Sequence, residues 1–185
     1  MALTMFPIDY IQTAKDREKR TLAMTSVHEI AFGISPLDKC KYKRNRHLWC
    51  YDTKALQDVE LCLNSLNVIG NPNLSSFADF EKLYDFVLGQ IVHIPGISYV
   101  EVYDVSLYLG ERMTPQIVPS EYVYVHGKLV QAARHYLKIS KMKKPFYRIK
   151  STDFGQINVA ISNNPYAARA IEEWLCNEHD EIMKF

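Results

Sequence analysis

The run Ile94-Pro95-Gly96-Ile97-Ser98 decides how this chain is read. Proline followed by glycine between apolar residues marks a turn, and both flanks carry helical patterns. Upstream, Phe77, Phe80, Leu83, Val87 and Ile91 fall on one helical face, with Ser76 placed to cap it. Downstream, Ser98-Tyr99-Val100-Glu101 has the spacing of a capping box. In that arrangement the Ser98 hydroxyl accepts the N–H of residue 101, and the Glu101 carboxylate reaches back to the N–H of residue 98. The spacing therefore predicts a helix from Tyr99 to about Gly110, where glycine suits a left-handed end. Two helices joined by a tight turn are expected over about 76–110.

The same reading extends outward in both directions. Residues 9–32 form a long helical candidate closed by Gly33 and Pro36, and its charged middle, 15–20, is expected to be solvated. Residues 35–50 read as an irregular basic segment. Asp52 offers an N-cap, after which Leu56, Val59, Leu63 and Leu66 make an apolar stripe that ends in the turn Gly70-Asn71-Pro72-Asn73. Beyond the central turn, Pro115 and Pro119 mark a loop, 121–125 alternates like a short strand, and 129–140 reads as helix. Residues 146–161 are ambiguous between strand, helix and loop. Asn164-Pro165 signals a helix start, because proline is favoured at the first helical position. Ala167, Ala170, Ile171, Trp174, Leu175 and Ile182 supply its apolar face. The sum is a mainly α, single-domain helical bundle over residues 1–185 with little or no sheet.

Bulk properties narrow the function classes. Of 185 residues, 48% are hydrophobic and 23% charged, so a sizeable core can be buried and disorder is disfavoured. The net charge is only +1, so any attraction for nucleic acid must come from a local patch. The N-terminal residues lack the pattern of a signal peptide. The longest uncharged run, 86–100, is too short and too polar for a membrane span. Cys40, Cys50, Cys62 and Cys176 contain no CxxC pair, so no zinc site is expected. Free thiols in a reducing cytoplasm fit best. Cys40 and Cys50 are the two that an oxidising compartment would bridge.

Helices joined by an apolar-Pro-Gly-apolar turn are the pattern of a helix-hairpin-helix element. The segments around it resemble a family of uncharacterised bacterial proteins. The resemblance rests on Gly96-Ile97, on Val102-Tyr103-Asp104 with Leu107 and Gly110, and on Val123-Tyr124-Val125-His126-Gly127. It continues in Ala170-Ile171-Glu172-Glu173-Trp174-Leu175-Cys176. It implies a helical fold with a helix-hairpin-helix element and no established activity. More distantly, the region resembles the helix-hairpin-helix DNA glycosylases. In those enzymes a segment like Val123-Tyr124-Val125-His126 carries the Asp that drives base excision. Here Tyr124 stands in its place, and a phenol cannot serve as that carboxylate at neutral pH. Ser98 stands where the hairpin's second glycine would be. Serine is poorer than glycine at positive φ, which works against close phosphate approach at that position, and the resemblance implies no base excision.

Two readings compete at each candidate site. The hairpin residues Gly96, Ile97 and Ser98 either contact a phosphate at the start of the following helix or simply connect two helices. Glu101, by adding negative charge in that first turn, weighs against an anion. Lys39, Lys41, Lys43, Arg44 and Arg46, interleaved with Tyr42, His47 and Trp49, suit a nucleic-acid backbone and its bases. A solvated loop over a buried Trp49 explains them as well. Lys128 joins the candidate basic residues. A second basic cluster comprises Lys138, Lys141, Lys143, Lys144, Arg148 and Lys150. Tyr103, Asp104, Tyr124 and His126 form a candidate polar cluster, which a satisfied polar core explains more simply than a catalytic centre.

No nucleophile elbow, Walker-type loop, dinucleotide fingerprint or spaced histidine set is present, so no catalytic residue, metal or cofactor is assigned. The leading expectation is a non-enzymatic module binding DNA or RNA. The alternatives are a protein-interaction or assembly component, with a protein partner and a purely structural hairpin, and an unrecognised enzyme of nucleic-acid metabolism. No membrane association is expected.

Overall fold

Helix follows helix through the described residues, and the sheet among them is a single two-stranded one. The computed structural model describes residues 6–38, 52–68, 77–139, 147–155 and 161–184. The chain is mainly α, as its periodicities predict. It divides into two compact units, Met1–Asp16 with Pro119–Phe185, and Arg17–Val118. None of the described helices is long and apolar enough to cross a membrane.

The Arg17–Val118 unit holds the end of α1 (Ile11–Leu22), then α2 (Val27–Phe32), α3 (Thr53–Ser65), α4 (Phe80–Ile91) and α5 (Tyr99–Arg112). The long helix expected over 9–32 is two helices. The break has a local cause. Ser26 Oγ accepts the Glu29 N–H at 3.2 Å, and Glu29 Oε2 accepts the Ser26 N–H at 3.0 Å. That capping box starts α2 afresh, and Gly33, expected to close the helix, does so in the left-handed conformation at φ +58°. Ser26→Ala removes the cap and should cost about 1 kcal/mol, readable as a lower urea midpoint with an unchanged slope.

The charged middle of α1 is not merely solvated. Arg17 Nη2 meets Asp104 Oδ1 at 3.2 Å, and Arg20 grips both carboxylate oxygens of Asp38 at 2.8 Å. Asp52 caps α3 as expected, accepting the Lys54 N–H at 3.2 Å. Leu56, Val59 and Leu63 then turn inward. The Cys62 thiol donates to the Gln90 carbonyl at 3.5 Å, and burial pushes its pKa up. Cys62 and Cys176 are both free thiols. The cap of α4 is Asp79, whose carboxylate accepts the Lys82 N–H at 2.8 Å. Ser76, the expected cap, lies outside the described residues.

In α5 every residue from Glu101 to Glu111 is buried. The helix does not stop at Gly110 but continues to Arg112, and Gly110 is helical rather than left-handed. A glycine is needed there for space. The segment after α5 folds back, and the Gly110 carbonyl accepts the N–H groups of Met113 at 3.2 Å and Ile117 at 2.9 Å.

The other unit opens with a 3-10 turn, Pro7–Tyr10, and the start of α1. It continues with β1 (Tyr122–Val125), α6 (Lys128–Leu137), β2 (Tyr147–Lys150), a 3-10 turn at Ser151–Phe154, α7 (Ala167–Asn177) and α8 (His179–Ile182). The extended piece expected at 121–125 is β1, and the ambiguous 146–161 contributes β2. They pair antiparallel, Val123 opposite Ile149 and Tyr124 opposite Arg148. β1 packs against α7, whose residues 167–175 are all buried, and β2 against the 3-10 turn that follows it.

Helix α7 starts at Ala167, two residues later than the Asn164-Pro165 signal predicted. Asn164 Oδ1 accepts the Tyr166 N–H at 2.9 Å, so these residues form a turn that precedes the helix. Trp174, Leu175, Ile171, Leu129, Val123 and Phe154 form the unit's core. Buried Arg169 is anchored by Nη2 to the Ala14 carbonyl at 2.9 Å, and Tyr10 donates to Glu178 at 2.6 Å. Burial and that glutamate raise the Tyr10 pKa.

Candidate functional site

The turn between α4 and α5 is built from its apolar ends inward. Ile91 and Ile94 are buried and anchor the side of the corner that enters it, and Ile97 beyond the tip is half-buried. The Ile94 N–H bonds to the Ile91 carbonyl and the Ile97 N–H to the Ile94 carbonyl, both at 3.1 Å. These two bonds tighten the chain so that Pro95 and Gly96 stand exposed at its tip. Gly96 has φ +88°, a conformation that side chains rarely adopt, so glycine is required there. Ser98 has φ −119°, extended backbone open to any residue. The hairpin therefore needs one glycine, not two, and serine in the second position costs it nothing.

Ser98 caps α5, but not as the capping-box spacing predicted. Its hydroxyl accepts the N–H of Val100 at 3.2 Å rather than that of residue 101. Glu101 does not reach back. Its side chain is fully buried, and neither carboxylate oxygen has a hydrogen-bond partner. Burial, with the nearby Asp104 charge, raises its pKa well above the carboxylate range. In this position the Glu101 carboxyl does not occupy the N–H groups at the start of α5.

A neighbour that sequence reasoning missed sits beside this turn. A Cβ placed on Gly96 would lie 3.5 Å from the Cβ of Ala55. The first turn of α3 is thus packed at the hairpin, and it carries exposed Lys54. The basic run containing Lys41, Lys43, Arg44 and Arg46 lies outside the described residues. Nothing in the sequence links Lys54 to Gly96, which are 42 positions apart.

In the other unit, Lys128 is exposed at the start of α6. Lys128, Gln131, Arg134, His135 and Lys138 share the solvent side of that segment, and α6 contains no acidic residue. Of the second basic cluster, residues 141–144 lie outside the described part. Arg148 stacks on the Tyr124 ring, 5.6 Å from its centroid, and Lys150 pairs with Glu121 at 3.5 Å.

All four members of the candidate polar cluster are buried. Tyr103 and Asp104 belong to the Arg17–Val118 unit, and Tyr124 and His126 to the other. Asp104 meets Arg17, and Tyr103 sets its ring edge-on to Phe80 at 6.1 Å. Among the described residues, no group of three or more His, Cys, Asp or Glu side chains is placed to hold a metal ion. No family model, curated protein or solved structure matches the chain.

Proposed function

We propose that this chain is a non-enzymatic, cytoplasmic nucleic-acid-binding module. In this reading α4, the turn and α5 act as a helix-hairpin-helix element that takes a backbone phosphate of DNA or RNA. The observation that carries it is the exposed, positive-φ Gly96 turn with the first turn of α3 against it. Exposed Gly96 adds no side chain of its own to the turn, and the N–H groups at the start of α5 favour an anion. Lys54 supplies positive charge from the neighbouring element. The exposed cations of α6 add a second contact region with the same preference.

The test is fluorescence anisotropy with a short duplex, single-stranded DNA and RNA over a salt series. Binding should weaken by roughly 0.9 log unit per log salt for each duplex phosphate neutralised. Lys43→Ala combined with Arg44→Ala should lower that slope and weaken all sequences alike. Gly96→Val forces a β-branched side chain into a positive-φ position and should abolish the hairpin's share of binding. A thermal melt separates that loss from unfolding. Absence of binding even at low salt would refute the module and favour a protein-interaction component instead.

A further inference from the structure

The Ser-x-x-Glu spacing at 98–101 spells a capping box that the fold does not make. Glu101 is the third residue of α5 and its carboxyl lies in the interior without a hydrogen-bond partner, while the Ser98 hydroxyl accepts the Val100 N–H. A buried carboxyl with no hydrogen-bond partner is tolerable only without its charge. Its charged surroundings reinforce this. Asp104, one turn further along the same face, is fully buried opposite Arg17 of α1, and its proximity raises the Glu101 pKa further. Glu111, the next acid on α5, lies about 15 Å further along. From α4 the buried side is Phe80, Leu83, Tyr84, Val87 and Ile91, in which Tyr84 is the one titratable group. From α2 it is Val27, Ile30, Ala31 and Phe32, with none. Among the described residues no cation is paired with Glu101.

The other position open to this side chain is defined by its place in the helix. A glutamate at the third residue lies within reach of the helix start, where N–H groups lack intrahelical acceptors and the dipole favours a negative charge. We propose that Glu101 is a two-position proton switch at the head of α5. Protonated, it stays buried beside Asp104. Ionised, it releases its proton to water, swings back over the first turn and closes the capping box that Ser98 begins. The switch lies next to the hairpin but stands whether or not the hairpin takes a phosphate.

The sign of the pH effect follows. In the unfolded chain Glu101 ionises at the ordinary carboxyl value of 4.5, whereas in the fold it holds its proton to higher pH. Stability from this group is complete below 4.5 and is lost as pH rises toward the folded value.

The experiment is carbon-13 and nitrogen-15 NMR of the intact chain across a pH series, with Glu121, which is 59% exposed, as the internal reference. The Glu101 carboxyl carbon should titrate well above that of Glu121. The amide signals of Ser98, Tyr99 and Val100 should move with the same midpoint, and in Glu101→Gln they should not. The unfolding constant of the wild type, divided by that of Glu101→Gln, should rise about tenfold per pH unit above 4.5 until the folded value is reached. A Glu101 midpoint equal to that of Glu121 would overturn the proposal. So would a carboxyl that titrates high while the three amides stay still, because the proton would then be buried without a switch. If Glu101→Gln fails to fold, the wild-type carboxyl and amide titrations decide alone.

Discussion

Gly110→Ala is expected to destabilise the Arg17–Val118 unit by on the order of 3 kcal/mol or more. The added Cβ would collide with the Ile117 carbonyl oxygen and stand 3.0 Å from Leu83 Cδ2. The first obstacle is backbone, held by its own hydrogen bond to the Gly110 carbonyl, so it cannot swing aside like a side chain. Relief requires the 113–118 segment to lift off α5, and that breaks the bond and uncovers Ile117. A control sits on the partner helix. Gly89 in α4 is exposed with nothing within 4 Å of its Cβ position, so Gly89→Ala should stabilise by up to about 1 kcal/mol through helix propensity alone. Chemical denaturation of the two variants should therefore shift in opposite directions. A Gly110→Ala midpoint within error of the wild type would show that α5 does not carry the 113–118 segment this closely.

Trp174→Ala should cost about 3–5 kcal/mol, the usual range for removing a large aromatic from a core. Trp174 is completely buried and meets Tyr136 edge-on, with ring centroids 5.1 Å apart. Tyr136 in turn stacks on Phe154 at 6.2 Å, so the indole joins α7, α6 and the turn after β2. Alanine leaves a void walled by three elements that cannot all collapse into it. Trp174→Phe keeps most of the volume and should lose less than half as much. Leu61→Ala is the reference for an apolar residue at the surface, because Leu61 is 66% exposed and its loss should be nearly silent. Equal midpoints for Trp174→Ala and Leu61→Ala would remove Trp174 from the core.

Neither effect follows from composition. Trp174 was recognisable as core because it recurs with Ala170, Ile171 and Leu175 on one helical face. Gly110 was legible only as a helix end, and the fold gives it a different task. A glycine near the end of an apolar helical run has the same local pattern whether it terminates the helix or admits a crossing strand. The deciding atom, the Ile117 carbonyl, reaches Gly110 only after the intervening chain has turned back.

The sequence by itself determined what local physics controls. The helical class, the stripes of α3, α4 and α7, the caps Asp52 and Ser98, the left-handed Gly33 and the exposed Gly96 corner all follow from periodicity, capping chemistry and backbone sterics. Those forces act within a few residues. The break at Ser26 also belonged to this class, since Ser26 and Glu29 spell the capping box that makes it. The tertiary structure alone decided the rest: the burial of Glu101, the Arg17–Asp104 pair, the nearness of Lys54 to the hairpin and the pairing of β1 with β2. Each depends on residues far apart in sequence. For Glu101 the local and the tertiary preferences conflict. The helix start offers it hydrogen bonds, while the packed core holds it uncharged, and which one prevails depends on whether the carboxyl carries a proton.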